Sequence, residues 1–389
     1  MTQALADVRI LDLSWGCAGP LGVLLMAEHG ADVIKVEPPG GDPFRKYQGY
    51  KVWTRSRRSV TCDLKSSAGR DAFLHLAAGA DVVVESFRPG VMKRLGVGFD
   101  VLASANPRLV YCAIPAYPPG HPLADQPGWD ALVQAASGQQ WEQPGWRPGP
   151  IFLHMPMPSM AALFLCASGV LAALHVRERT GRGQRVDTSL LQGAFLYSTM
   201  IWEEVEHAED SFHALMAKTD PPGIHQPMIY ECKDREYLHL SVLSGLPPKR
   251  SQEEITGAPE SPLQLETVHW TPEERADLAR RQRDAFKNHD RDTLVADLQD
   301  ANYAAEAVIT AEEALRRPHA QLAANDMVVS VDDRDLGPTT QIGVPIHLLG
   351  TPGAVRGPQP AAGEHDAEIW GDELGYSTAE VTAITRAAP

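Results

Sequence analysis

Cysteine is sparse in this sequence: five residues in 389, at positions 17, 62, 112, 166 and 232, an odd number with no Cys-x-x-Cys. That pattern argues against a disulfide framework or a thiolate zinc scaffold and fits a reducing compartment, so no metal is expected. Positive charge is also in deficit. The chain stands at −15 at pH 7, which argues against a nucleic-acid binder, because such proteins need a phosphate-neutralising surface. The opening MTQALADVRILDLS lacks a cationic segment leading into an apolar one, so no secretory signal is read and a cytoplasmic protein is expected. The apolar run Met160–Leu174 is fifteen residues long, short of the about 18 that a membrane span requires. A GxGxxG dinucleotide fingerprint is missing as well: the first strand-like run is followed by WGCAGP, so neither nicotinamide nor flavin binding is expected.

What is present is an ordinary globular composition, 43% apolar and 22% charged, in a chain long enough for two domains and a large core. The charge is unevenly spread. Residues 31 to 95 hold twelve Lys/Arg against seven Asp/Glu, a basic island in an acidic protein. Such an island suits a small polyanionic ligand, or is simply a solvated face.

In order, VRILDLS reads as a strand, LGVLLMAEHG as a helix and ADVIKVE as a second strand, the β-α-β unit of a parallel sheet. A helix over 67–78 and strands near 81–86 and 108–114 continue the pattern. From Ser159 to Gln184 comes the longest candidate helix, read as buried on all sides, with Ser159 as its N-cap and Gly181 and Gly183 after a basic last turn. A strand running into a helix follows, and the Pro/Gly/His-rich connection 220–227 marks a boundary. Then MIYEC and YLHLSVL read as a hairpin, 245–326 as mostly helical, MVVSVDD and QIGVPIHLL as strands, and EHDAEIWGDELGYSTAEVTAI as a terminal helical piece. The expected fold class is α/β: a Rossmann-like large domain over 1–219, an inserted smaller α+β domain over 228–326, and a C-terminal return over 327–389.

Several segments, taken together and in order over nearly the whole chain, resemble the class III CoA-transferases. They are VRILDLSWGCAGP, ADVIKVEPPGGDPFR, RRSVTCDLKSSAGR, ADVVVESFRPGVMKRLGVGFD, NPRLVYC, GWDALVQAASG, GVLAALHVRERTGRGQRVDTSLL and GTPGAVRGPQP with the closing LGYSTAEV. The resemblance implies a Rossmann-like domain with a smaller one, and a homodimer, or a heterodimer with a homologous subunit, whose chains interlock. It implies coenzyme A or acyl-CoA as the ligand and a small carboxylic acid as co-substrate, while the net charge and the short apolar run argue against nucleic-acid or membrane partners. CoA phosphates need Lys/Arg and backbone donors, which agrees with the basic island. By position in those segments, Lys35, Arg45, Lys65, Phe87, Arg88 and Arg94 are the candidates around CoA. Lys35 and Glu37 alternate on one strand and can equally pair with each other.

In that family an Asp carboxylate attacks the acyl-CoA thioester, and both covalent intermediates must stay reactive. The resemblance puts that Asp ten residues before Gly169, where this chain has Ser159, and no Asp or Glu occurs from Gln143 to Arg177. Ser159 is open to three readings: an N-cap, a cavity liner, or a nucleophile assisted by His154, for which the Pro-rich HMPMPS is poor geometry. The racemase branch of the family uses a His-Asp pair where this chain has Trp129 and Asp130. Asp130 can serve as a base, hold the acyl pocket, or cap the helix that follows it. Pro118 and Pro119 stiffen a loop that is glycine-rich in the family, and Trp129, Trp141 and Trp146 suggest aromatic walls for an acyl pocket. The leading expectation is CoA transfer between an acyl-CoA and a carboxylic acid, possibly with an Asp-bearing homologue as a second subunit. The alternatives are a repurposed acyl-CoA lyase, hydratase or thioesterase, and a non-catalytic CoA-binding subunit.

Overall fold

A computed structural model describes residues 2–142, 149–198, 228–241, 246–260, 270–316 and 320–387. Trp146 and the connection 220–227 lie outside the described residues. The chain falls into two compact units, one of residues 1–140, 152–198 and 320–389 and another of 141–151 and 199–319.

The first unit is built on a six-stranded sheet. Its strands are β1 (Arg9–Asp12), β2 (Asp32–Glu37), β3 (Arg58–Thr61), β4 (Val82–Glu85), β5 (Val110–Ala113) and β6 (Arg185–Asp187). They run in the order β3-β2-β1-β4-β5-β6, and every neighbouring pair is parallel. That is the doubly wound arrangement in which ligands bind off the carboxyl ends of the strands. Alternation along the strands feeds two cores. Leu11, Ile34, Val60, Val83 and Tyr111 pack on one face with Phe73 and Leu76, and with Trp370 and Ile384 from near the C-terminus. Ile10, Val33, Val82, Val84 and Cys112 pack on the other.

That second face is covered by helix α1 (Ala18–Glu28) and by α4 (Met157–Thr180), which follows α2 (Ser67–Ala78) and α3 (Asp130–Ala136) in the chain; α5 (Leu190–Tyr197) comes next and packs against α4. Two departures from the sequence reading concern α4. It begins at Met157, with Pro156 at the N-cap and Ser159 two residues inside, so Ser159 is not the cap. Pro158 is tolerated there because the first turn's N–H groups have no intrahelical acceptor in any case. Nor is the helix buried on all sides: Ala161, Ala162, Cys166, Val170 and Ala173 are inside, whereas Phe164 is 56% and Leu171 43% exposed. At 24 residues α4 is long and apolar enough to cross a membrane, but half of its most apolar window is buried within the protein and Arg177 near its end pairs with Asp81 at 2.8 Å. It is the central helix of this unit's core.

The second unit has an antiparallel sheet of β7 (Ile229–Glu231), β8 (Tyr237–Ser241) and β9 (Ala304–Val308) with helices α6 (Pro272–Phe286) and α7 (Arg291–Asp300). Tyr230 stacks on Phe286 with ring centroids 4.0 Å apart, inside a core that includes Leu238, Leu294 and Leu298. Sequence reading did not find β3 or β9. RSVT is only four residues long, and AAEAV is poor in strand-forming residues, so pairing with neighbours decides both. The partner of the strand Val328–Asp333 is Gly337–Ile342, earlier than QIGVPIHLL suggested, because the Gly337 turn (φ 70°) closes a tight hairpin.

Candidate active site

The candidate active site lies in the first unit, beyond the carboxyl ends of its strands, where the segment after β5 leads into α3. Asp130 is the first residue of α3, and its carboxylate reaches across to the start of α4. One oxygen accepts the Ser159 backbone N–H at 2.8 Å, and the other accepts the Ser159 hydroxyl at 2.7 Å. Asp130 therefore satisfies an orphan N–H of α4 rather than capping its own helix, whose N-cap position is Trp129. One turn further along α3, Gln134 donates to the Met155 carbonyl at 2.8 Å. Two residues four apart on α3 thus clamp the entry to α4, an i,i+4 signal that was readable in DALVQ.

Close packing fixes this junction. A Cβ on Gly193 of α5 would lie 2.4 Å from the Pro158 carbonyl oxygen, so no larger residue fits without moving backbone. Gly22 of α1 likewise lets that helix approach α4, at Leu163. Cys17, at the N-cap of α1, senses the same carboxylate. Burial first, and the Asp130 charge second, push its thiol up to about 12, so it stays neutral near pH 7.

Exposure separates the two partners. Ser159 is 2% exposed, while Asp130 is partly accessible. Trp129, 56% exposed, stands beside it with its ring centroid 5.6 Å from that of Phe44. His154 does not serve Ser159: its ring is exposed and set edge-on to Phe152 at 6.2 Å, and the Ser159 hydroxyl is donated to Asp130. Of the two described tryptophans read as part of that cluster, Trp129 takes part here and Trp141 belongs to the second unit.

The six basic-island candidates divide. Lys35 is 1% exposed, its ammonium 3.2 Å from Asp42 and 3.8 Å from Asp12 and bonded to the Ser14 carbonyl, so it faces the interior. Its partner is therefore not Glu37. Arg45 takes that role, donating Nε to Glu37 at 2.6 Å and Nη1 to the Pro360 carbonyl at 2.8 Å. Burial alone would raise Glu37; the Arg45 hydrogen bond and charge, with Lys35 and Ser59, outweigh it and hold the carboxyl below its ordinary value. Lys65 beyond β3, Arg88 beyond β4 and Arg94 are exposed and form no ion pair among the described residues; Arg88 donates to the Asp125 carbonyl at 2.7 Å. Phe87 is half-buried, edge-on to Trp15 at 5.3 Å. A cavity of about 760 Å³ lies elsewhere in this unit, lined by Val331, Val344, Ile346, Leu349 and Val355 among others. Its lining is mainly apolar and it lacks the carboxylate arrangement found at Ser159.

Comparison with known proteins gives this geometry its context. The profile of CoA-transferase family III matches residues 5–366. Succinyl-CoA–D-citramalate CoA-transferase of Chloroflexus aurantiacus is 30% identical over 98% of this chain and 97% of its own length. Succinyl-CoA:mesaconate CoA-transferase of Haloarcula hispanica is 32% identical over 96% of this chain and 97% of its own. Among solved structures, Rv3272 of Mycobacterium tuberculosis superposes with a TM-score of 0.75 at 28% identity, covering 94% of this chain and 99% of that one.

Proposed function

The chain belongs to CoA-transferase family III, and we propose that it moves CoA from an acyl-CoA to a small carboxylic acid through a site built around Asp130 and Ser159. The observation that carries this reading is a partly accessible carboxylate held at the start of α4 by two Ser159 hydrogen bonds. CoA transfer between carboxylates requires such a group. Because this chain holds its own carboxylate there, it needs no Asp-bearing homologue, and a homodimer suffices. A cytoplasmic location goes with CoA thioesters as substrates.

For the nucleotide end of CoA we assign Lys65, Arg88 and Arg94, exposed cations beyond or following the carboxyl ends of β3 and β4, with Phe87 packing beside them. Lys35 and Arg45 support that face from behind, their charges being taken up by Asp42, Asp12 and Glu37. The hydrolase reading gains no support: Ser159 is buried, bonded to a carboxylate, and without a His partner. Dicarboxylates of the citramalate and mesaconate kind, named for the relatives, are the first co-substrates to try.

The test incubates the purified protein with succinyl-CoA and a panel of carboxylic acids and follows new CoA esters by mass spectrometry. Acceptor-dependent formation of a new thioester is expected. Free CoA released at the same rate with and without acceptor would favour a thioesterase, and no turnover of any thioester would overturn the enzyme reading.

A further inference from the structure

We propose that Asp130 is the covalent nucleophile of this chain, the reactive carboxylate being carried by α3 and held in place by Ser159 of α4. This rests on the CoA-transfer reading above. Within the family the carboxylate is expected on α4 itself, at the position Ser159 occupies. The structure puts a different carboxylate within hydrogen-bonding distance of that position. Asp130 lies 2.8 Å from the Ser159 nitrogen and 2.7 Å from its hydroxyl oxygen. Accessibility separates the two groups: an acyl-CoA can approach the partly exposed Asp130, whereas Ser159 is 2% exposed. Chemistry separates them again. Acylation of Ser159 would give an ordinary ester, which a carboxylate acceptor does not readily cleave, whereas an aspartyl anhydride or thioester remains reactive. Cys17, the other nucleophilic group close enough to feel Asp130, is kept as the neutral thiol.

The steps balance without an added proton or oxidant. The Asp130 oxygen that faces the Ser159 hydroxyl attacks the thioester carbon; the C–S bond breaks, giving an acyl-aspartyl anhydride and CoA thiolate. The thiolate attacks the Asp130 carbonyl carbon, the anhydride C–O bond on that side breaks, and the donor leaves as its carboxylate, with CoA now on Asp130 as a thioester. The acceptor carboxylate attacks that thioester carbon and expels the thiolate, forming a second anhydride. The thiolate then takes the acceptor's acyl carbon, releasing acceptor-CoA and restoring the Asp130 carboxylate. In the two steps where the Asp130 carbonyl is attacked, the Ser159 N–H donates to its other oxygen and stabilises the negative charge that develops there. The hydroxyl orients the free carboxylate and swings away when its oxygen is acylated. Ser159 is thus a positioning residue with one catalytic donor, its backbone N–H, which a side-chain change leaves in place.

Trapping identifies the residue. The protein is mixed with succinyl-CoA, and separately with a panel of other acyl-CoAs, in the presence of hydroxylamine, which converts an aspartyl anhydride or thioester into a hydroxamate; digestion and peptide mass spectrometry locate it. Hydroxamate on Asp130 is the expected result. Hydroxamate on another acidic residue, an acyl group on Ser159, or no hydroxamate with any acyl-CoA would each overturn the proposal. If transfer runs without a hydroxamate, this assignment fails while the CoA-transfer reading stands; if nothing turns over, both fail. Asp130→Asn keeps the size and a hydrogen-bond acceptor for the Ser159 N–H, and is expected to lower transfer by about 10³-fold or more and to abolish trapping. Ser159→Ala is expected to slow transfer by about 10-fold while the hydroxamate stays on Asp130. Loss of trapping in Ser159→Ala with normal folding would overturn the assignment of the Ser159 hydroxyl to positioning alone.

Discussion

The basic window splits into an inner and an outer half with opposite fates. On the inner side Lys35 faces Asp12 and Asp42, Arg45 holds Glu37, Arg55 pairs with Glu28 at 2.7 Å, and Arg57 reaches Asp12 at 2.6 Å. These groups lie at and between the ends of β1, β2 and β3, and most are fully buried. On the outer side Lys65, Arg88 and Arg94 are exposed and make no ion pair among the described residues. A count of Lys and Arg along the sequence treats all of them as available to a phosphate. The fold shows that the inner cations are already neutralised, because a buried charge persists only with a partner. Exposed cations such as the outer set remain for a ligand.

The widest gap between the halves should be in stability. Arg57 sits with no exposed side-chain surface, bonded to Asp12 and to the carbonyls of Trp53 at 2.7 Å and Pro20 at 3.1 Å. Arg57→Leu leaves a buried carboxylate short of its cation, and the expected loss is about 3–5 kcal/mol. Arg88→Ala should stay within about 0.5 kcal/mol of the parent. Urea unfolding of both variants checks the contrast. Equal losses would mean that the halves are not distinct.

A smaller effect, set by pH, sharpens the same contrast with two carboxyls. Glu37, on the inner side, is held below its ordinary value by Arg45, so its stabilisation is present above about pH 4.5 and lost as pH falls through the lowered value. Glu85, at the end of β4 where the outer segment begins, accepts from the Phe87 N–H at 2.7 Å and the Tyr111 hydroxyl at 3.2 Å and makes no ion pair among the described residues. Burial pushes it from 4.5 up to about 7, against those two hydrogen bonds. The sign is opposite to that of Glu37: the folded state favours the protonated form, so stability falls as pH rises from 4.5 through 7. Glu85→Gln removes that titration. The variant should gain roughly 1–3 kcal/mol on the parent at pH 8, with the difference shrinking towards pH 5, as thermal melts at the two pH values would show. A variant less stable at pH 8 than the parent would mean that Glu85 is ionised and partnered.

Much of the fold was legible in the sequence. Short apolar runs in a β-α-β pattern gave five of the six parallel strands, and the ordered segments gave the family. β3 and β9 escaped because short or Ala-rich strands are decided by their neighbours. The site was legible only in part. Asp130 and Ser159 could each be named, but 29 positions separate them and no local pattern links them. What joins them is the packing of α3 against the start of α4, a tertiary fact. The Ser159 position read alone suggests a lost nucleophile. With Asp130 bonded to it, the same position suggests a carboxylate supplied from another helix. Lys35 shows the converse: the strand pattern shows that it alternates with Glu37 but not that Asp12 and Asp42 close over it.

The smallest expected effect tests the outer half directly. If Arg88 and Arg94 meet CoA phosphates, Arg88→Ala with Arg94→Ala should raise the KM for acyl-CoA by about 10-fold, close to 1.4 kcal/mol, with kcat nearly unchanged. The bond to the Asp125 carbonyl is one that water can replace when Arg88 is lost, so the melting temperature should hold. Because both side chains are exposed, the parent's KM should itself climb with ionic strength as the Debye length shortens from about 10 Å at 0.1 M towards 3 Å at 1 M, and the double variant should lose most of that slope. Lys65→Ala, a single point charge, should give a weaker version of the same loss. A KM that ignores all three substitutions would move the CoA phosphates off this edge. The partition would then describe only where the fold keeps its charges, and the ligand's cations would have to be sought elsewhere.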